Sequence, residues 1–238
     1  MNFDLSKIEF SKRDLQKSIK IPKKLTPDLA EIIGLHIGDG HLGYRRNKSE
    51  YLIQLLGNQK TERQHYDNYI SNLWKSVFNV DLRLKNFPHN CYGFRVYSKV
   101  LGTFFNRVLG MPIGKKSKII RILPIIKNTC KNGISPEMIS CIRGIIDTDF
   151  FVNNDRGQIA LGAWFASKNL VLDLHEYLQL VNMRPRLSLD VTYYNTSCNK
   201  YLTRHRIIIR KKADISQYVE RIGSNNPKIY KKLINLRF

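Results

Sequence analysis

One pattern constrains this chain more than any other: its sequence states the same plan twice, 110 residues apart. Thr26-Pro27-Asp28 and Ser135-Pro136-Glu137 each supply a hydroxyl N-cap, a proline at the first helical position and an acid in the first turn, which together start a helix. In the apolar stretches that follow, Gly34 and Gly144 each lie five residues before an acid, Asp39 or Asp149. Further on, Gly57-Asn58-Gln59-Lys60-Thr61 and Phe165-Ala166-Ser167-Lys168-Asn169 each lead into another helical stretch. Lys99 and Lys212 each precede a short helix with aromatic and aliphatic anchors, closed by Gly110 or Gly223. The tails agree as well, Lys115-Lys116-Ser117-Lys118 matching Lys228-Ile229-Tyr230-Lys231-Lys232.

Between these helices, alternation of apolar and polar residues and polar turns predict strands over 41–46, 51–56, 80–87 and 92–97. The second half offers 151–153, 159–165, 184–190 and 203–210. Each half therefore reads as an αββαββα lobe, an α+β unit with one antiparallel sheet. The expected organisation is a basic leader (1–24), a first lobe (25–118), a linker (119–134) and a second lobe (135–238), the lobes being pseudo-symmetric.

The acids gain meaning from the glycines before them. A glycine inside a helix costs about 1 kcal/mol relative to alanine, and close approach of two helix backbones explains both. Packing the two motif helices side by side holds Asp39 and Asp149 near each other, and paired carboxylates repel unless a cation lies between them. Mg²⁺ or Mn²⁺ suits such a pair, since magnesium is held by one or two carboxylates plus phosphate oxygens and water. The preceding residues Gly38 and Thr148 join them as candidate metal-holding positions.

Charge points to the partner. The 238 residues carry 40 Lys plus Arg against 19 Asp plus Glu, a net +21, and self-repulsion of that size calls for a polyanion. Nucleic acid is the first candidate and an anionic membrane surface the second. No apolar run approaches the ~18 residues that span a bilayer, and the first ten residues lack the apolar core of a signal peptide. An intracellular protein without a membrane partner is expected. The four cysteines form no C-x-x-C pair, so they are read as reduced, mostly buried thiols. Candidate DNA contacts are Arg45, Arg46, Lys48, Arg83, Lys85 and Arg95 in the first half, and Arg184, Arg186, Arg204 and Arg206 in the second. Two antiparallel sheets joined at the motif helices form a saddle that lays such residues along the major groove, which admits a two-stranded ribbon.

The stretches 32–40 and 142–150 resemble the two signature motifs of the LAGLIDADG homing endonucleases, and the lobe pattern over 20–232 is also similar to theirs. The resemblance implies a monomeric enzyme that uses divalent metal to cut both strands of a long, asymmetric double-stranded DNA site, often one interrupted by the enzyme's own intron. It makes Asp39 and Asp149 the metal-binding acids. It gives Gln59 a solvent-ordering role and Lys99 and Lys212 the place of the active-site basic residue of each lobe. Such a lysine stabilises developing negative charge. Two departures stand out: Phe150 replaces the motif's last glycine, and Ser167 stands opposite Gln59, which makes the half-sites unequal. Asp147, two residues before Asp149, is read as structural. The alternatives are an RNA maturase acting on intron RNA and a DNA-binding relative that does not cut.

Overall fold

The computed structural model describes residues 2–131, 133–155 and 158–234. Short helix α1 (Lys12–Gln16) precedes the first lobe. That lobe comprises α2 (Pro27–Ile37), β1 (Gly40–Arg45), β2 (Glu50–Asn58), α3 (Arg63–His65), α4 (Ser71–Phe78), β3 (Lys85–Phe87), β4 (Cys91–Tyr97) and α5 (Lys99–Thr103). A π-helical stretch, Tyr66–Ile70, fuses α3 to α4, and another, Phe104–Val108, prolongs α5. After α6 (Pro124–Lys127) come α7 (Pro136–Asp149), β5 (Phe151–Asp155), β6 (Gln158–Phe165), α8 (Lys168–Leu180), β7 (Arg186–Asn195), β8 (Lys200–Ile209), α9 (Lys212–Arg221) and α10 (Pro227–Ile234). The sheets have the same order, β1-β2-β4-β3 and β5-β6-β8-β7, with every pair antiparallel.

The motif helices start as their caps require: Thr26 accepts the Leu29 N–H at 3.2 Å and Ser135 that of Met138 at 3.0 Å. They cross at their glycines. A Cβ on Gly144 would lie 2.5 Å from the Glu31 carbonyl oxygen, and one on Gly34 would run into the carbonyl of Cys141. Only hydrogen fits there, and the approach lets Ile32, Ile33, Leu35, Ile142, Ile145 and Ile146 close into one core spanning both lobes.

A charged group is sealed into the same interface. Glu31 on α2 accepts Arg143 of α7 (2.6 Å), Tyr69 (2.7 Å) and the amide of Asn225 (2.7 Å). A buried carboxylate is tolerated only when its lone pairs are filled in this way.

Several boundaries differ from the sequence reading. β3 is three residues long: 79–84 forms no ladder, although Leu82 and Leu84 rest on the core. Apolar alternation thus produced packing without pairing. β7 and β8 instead run to Asn195 and Lys200, across an irregularity between Ser188 and Val191 where Asp190 takes a left-handed backbone. The leader is no loose tail. Buried Asp14 accepts the Ser98 hydroxyl at 2.7 Å and the Lys99 and Val100 N–H groups, so α1 caps α5. The linker is packed too, with Ile122 and Ile126 buried and Arg121 and Lys127 both on the Asp173 carboxylate. All four cysteines are free thiols, but only Cys141, wedged at the helix crossing, is buried. No helix among the described residues is long and apolar enough to cross a membrane.

Candidate active site

Asp149 is the last residue of α7, and Asp39 lies two residues past α2. The helix crossing brings them together. A Cβ on Gly38 would sit 2.6 Å from the Asp149 Oδ2 atom and against the Thr148 hydroxyl. The backbone entering Asp39 therefore lies on the carboxylate of the other lobe. Burial raises the Asp39 carboxyl well above its ordinary range, and the charges of Asp149 and Glu62 raise it further. Burial also pushes Asp149 up to about 6, against the opposing pull of Lys116. The Thr148 hydroxyl donates to Ile145 O at 2.9 Å, and its hydrogen bonding also holds the Asp149 carboxyl down.

Two ammonium groups serve this acidic pair. Lys116 donates to Ile37 O at 2.6 Å and also to Gly38 O, the last carbonyls before Asp39. Burial lowers its pKa, and the charges of Asp149 and Asp39 oppose that shift. Lys228 lies 3.2 Å from Glu62 Oε1, and its charge reaches Asp39. Glu62 is itself buried, held by the Asn58 N–H at 2.6 Å and the Asn226 amide at 3.3 Å. Asp147 anchors this corner: it accepts the Ser224 hydroxyl and the Asn225 N–H, fixing the turn that leads to Lys228.

The lysines that face the aspartates are therefore Lys116 and Lys228. Lys99 opens α5 and pairs with Glu9 at 2.7 Å on the outer side of the lobe, and Lys212 opens α9. The reason is geometric. A lysine at the start of the third helix follows the distal end of β4, whereas Lys116 lies where the chain returns to the motif helix. The signal was present in the tail repeat, since Lys116 and Lys228 follow their aspartates by 77 and 79 residues. Glu62 carried no such signal, because its counterpart is different: it occupies the N-cap of α3 as Ser167 occupies that of α8. By ladder register Ser167 stands level with Gln59, since Gly40 faces Leu55 and Phe151 faces Gly162, and its buried hydroxyl donates to Ile120 O and caps α8. Gln59 turns off the end of β2, its N–H on Asn90 O at 2.8 Å.

Each sheet turns one face to the core and leaves the other open. In the first lobe the open face carries Arg45, Gln54, Lys85 and Arg95, with Gln54 opposite both His41 and Arg95. Arg45 stacks over Tyr97 and Arg95 over Phe87, which holds both guanidinium planes in place. His41 stands within electrostatic reach of both Lys116 and Arg95, so this face begins at the aspartates. In the second lobe Arg204 is sandwiched by Trp164 (3.9 Å) and Tyr193 (4.3 Å), and Arg206 lies over Trp164, with Arg186 further along β7. Arg46 and Lys48 sit in the β1–β2 turn and Arg83 in the unladdered stretch before β3. Arg184 departs from the expected strand: it precedes β7 and reaches Asp214 on α9 at 3.7 Å.

No protein-family model matches the chain. Over 214 residues, 86% of its length, it is 24% identical to a glutamine–fructose-6-phosphate aminotransferase (isomerizing) of Methanocaldococcus jannaschii, of which it spans only 17%. Solved structures match along nearly their whole length. The homing endonuclease I-DmoI in complex with DNA and Ca superposes with a TM-score of 0.56 at 19% identity, covering 88% of this chain and 97% of that one. The homing endonuclease I-WcaI bound to its DNA recognition sequence gives 0.54 at 17% identity, covering 94% and 92%. The chain has the two-lobed fold of the LAGLIDADG homing endonucleases.

Proposed function

We propose that the chain is a divalent-metal-dependent DNA endonuclease, cutting both strands of a long, asymmetric duplex site, with one aspartate serving each strand. The observation that carries this reading is the meeting of Asp39 and Asp149 at the helix crossing, half-buried and raised in pKa, beside Lys116. Holding two half-buried acids beside each other is costly in a protein with no use for them. The neighbours of this fold include homing endonucleases crystallised with DNA and Mn or Ca. The aminotransferase likeness supports no transferase reading, because it covers so little of that protein.

The residues present fit a magnesium-type ion. Among the described residues no group of three or more His, Cys, Asp or Glu is placed to hold a metal, and two carboxylates, Asp39 and Asp149, meet at the helix crossing. Magnesium characteristically takes that number, leaving its remaining positions to phosphate oxygens and water. Asp39 and Asp149 would hold it, and when bound it supplies Lewis-acid polarisation and charge neutralisation at the phosphate. The chain's own residues do the rest. Lys116, anchored on two carbonyls, keeps a positive charge where a phosphate's negative charge develops, with no reorganisation needed. Lys228 does the same from the other lobe, steered by Glu62. The stacked arginines of the open faces grip the duplex and read base edges. Both half-sites lie on one polypeptide, so a single chain suffices.

Selection of cleaved sites from a randomised duplex library in Mg²⁺ or Mn²⁺ tests this directly. Asp39→Asn and Asp149→Asn should each abolish double-strand cutting while binding persists. If both variants cut like the parent, the assignment is wrong. A parent that binds but never cuts would make the protein a non-cleaving binder.

A further inference from the structure

At the distal end of the first sheet lies a cleft of about 1010 Å³, between α1 on one side and the β1–β2 turn and β4 on the other. Its size is at the upper end of small-molecule sites, but such sites are mostly apolar, and this one is ringed by charge. Lys12, Arg13, Lys17, Lys48 and Arg83 line it, all exposed and none within ion-pair distance of a described carboxylate. The two acids in its wall are already neutralised, Glu50 by Arg45 and Asp81 by Lys75. The cleft thus presents a surplus of cations that no carboxylate among the described residues pairs with.

This surplus is held in place. Asp14 bolts α1 to the start of α5. The Glu9 N–H reaches Thr103 at 3.0 Å, and the Lys20 N–H reaches Phe78 O at 2.8 Å. The segment is fastened on both sides of α1, so its backbone needs no ordering when a ligand arrives. The cleft is also continuous with the open sheet face, because Arg45, Arg95 and Tyr97 belong to both.

We propose that this cleft is a second phosphate-binding surface, occupied by the sugar–phosphate backbone of duplex DNA where it leaves the first sheet. The first lobe then holds a longer stretch of duplex than its strands alone would cover. In the segment before the second lobe, by contrast, Arg121 and Lys127 are both engaged by Asp173. The inference rests on the DNA reading above.

The test is the salt dependence of binding to a 40-base-pair random-sequence duplex, measured by anisotropy in the full chain. The parent should show a steep loss of affinity with salt. The triple variant Lys12→Ala/Arg13→Ala/Lys17→Ala should flatten the slope of log K against log salt by about 2–3, at ~0.9 per lost phosphate contact. Its melting temperature should not move, because all three side chains are exposed. Asp14→Asn, which adds positive charge but unbolts α1, should flatten the slope in the same direction, which net charge alone would not do. A parent that fails to bind duplex would sink the DNA reading itself. A steep parent slope left unchanged in the triple variant overturns the cleft. So does a triple variant whose loss is confined to a single-stranded RNA probe of equal length.

Discussion

The two lobes share a topology and differ in what they do with it. The first ends its motif helix at Ile37 and reaches Asp39 through a non-helical Gly38, whereas the second keeps Asp149 within the helix and leaves it through an extended Phe150. The first has a carboxylate, Glu62, at the N-cap of its second helix, and the second has the small hydroxyl of Ser167. Lys116 rests on the carbonyls of its own lobe, whereas Lys228 crosses to Glu62 of the other. The repeat therefore fixes the backbone frame, while the chemistry around each aspartate is set independently. Phe150 shows how such divergence is tolerated: it leaves the helix in an ordinary extended conformation and packs against Phe165, whereas Gly40 is held to glycine by the His36 ring, 2.3 Å from where its Cβ would lie.

The hardest way to break the symmetry is at the seam. Arg143→Met leaves Glu31 buried with only neutral partners, and urea unfolding should show a loss of about 3–5 kcal/mol. A loss under about 1 kcal/mol would mean the pair contributes little to joining the lobes.

Next in size is the lysine comparison. Lys116→Met should slow cutting about 10²–10³-fold, the effect of removing one preorganised charge from a transition state. Lys228→Met should cost less, because the charge it provides is shared with Glu62. Nicked plasmid should accumulate in the Lys228 variant. Equal losses on both strands in both variants would argue that the half-sites are equivalent after all.

pH sharpens the same contrast through stability. The folded Asp149 carboxyl sits at about 6, above the ~3.9 of an unfolded aspartate. A group raised in this way contributes its stability at low pH and loses it as pH rises from about 4 through 6. Asp149→Asn should thus raise the metal-free melting point at pH 7.5, by an amount equivalent to about 1–3 kcal/mol, and change it little at pH 4. A variant no more stable than the parent at pH 7.5 would show that the acid's burial is relieved by some other means.

The smallest effect belongs to the open faces. Arg204→Lys keeps the charge but loses the planar stack on Trp164 and Tyr193, and duplex affinity should fall by about 1 kcal/mol with the salt slope unchanged. An affinity left unchanged would mark Arg204 as a plain phosphate contact that any cation can make.

Much of this frame was legible before any coordinates. Helix caps, the glycine-to-acid spacing and period-two alternation are local signals, and they pointed to both lobes, the paired motif helices and the nearness of Asp39 to Asp149. Tertiary structure alone decided which cations stand beside those acids. Lys99 and Lys116 are both lysines at plausible offsets, and only the path of the chain back from α5 to the motif helix selects Lys116. The same holds for Glu62, drawn to the site by Asn226 and Lys228 from the opposite lobe, and for the leader, which reads as a basic tail until Asp14 finds the end of α5. Local sequence encodes propensities within a few turns of chain. A site assembled from groups tens to hundreds of residues apart exists only once burial and hydrogen bonding have brought them together.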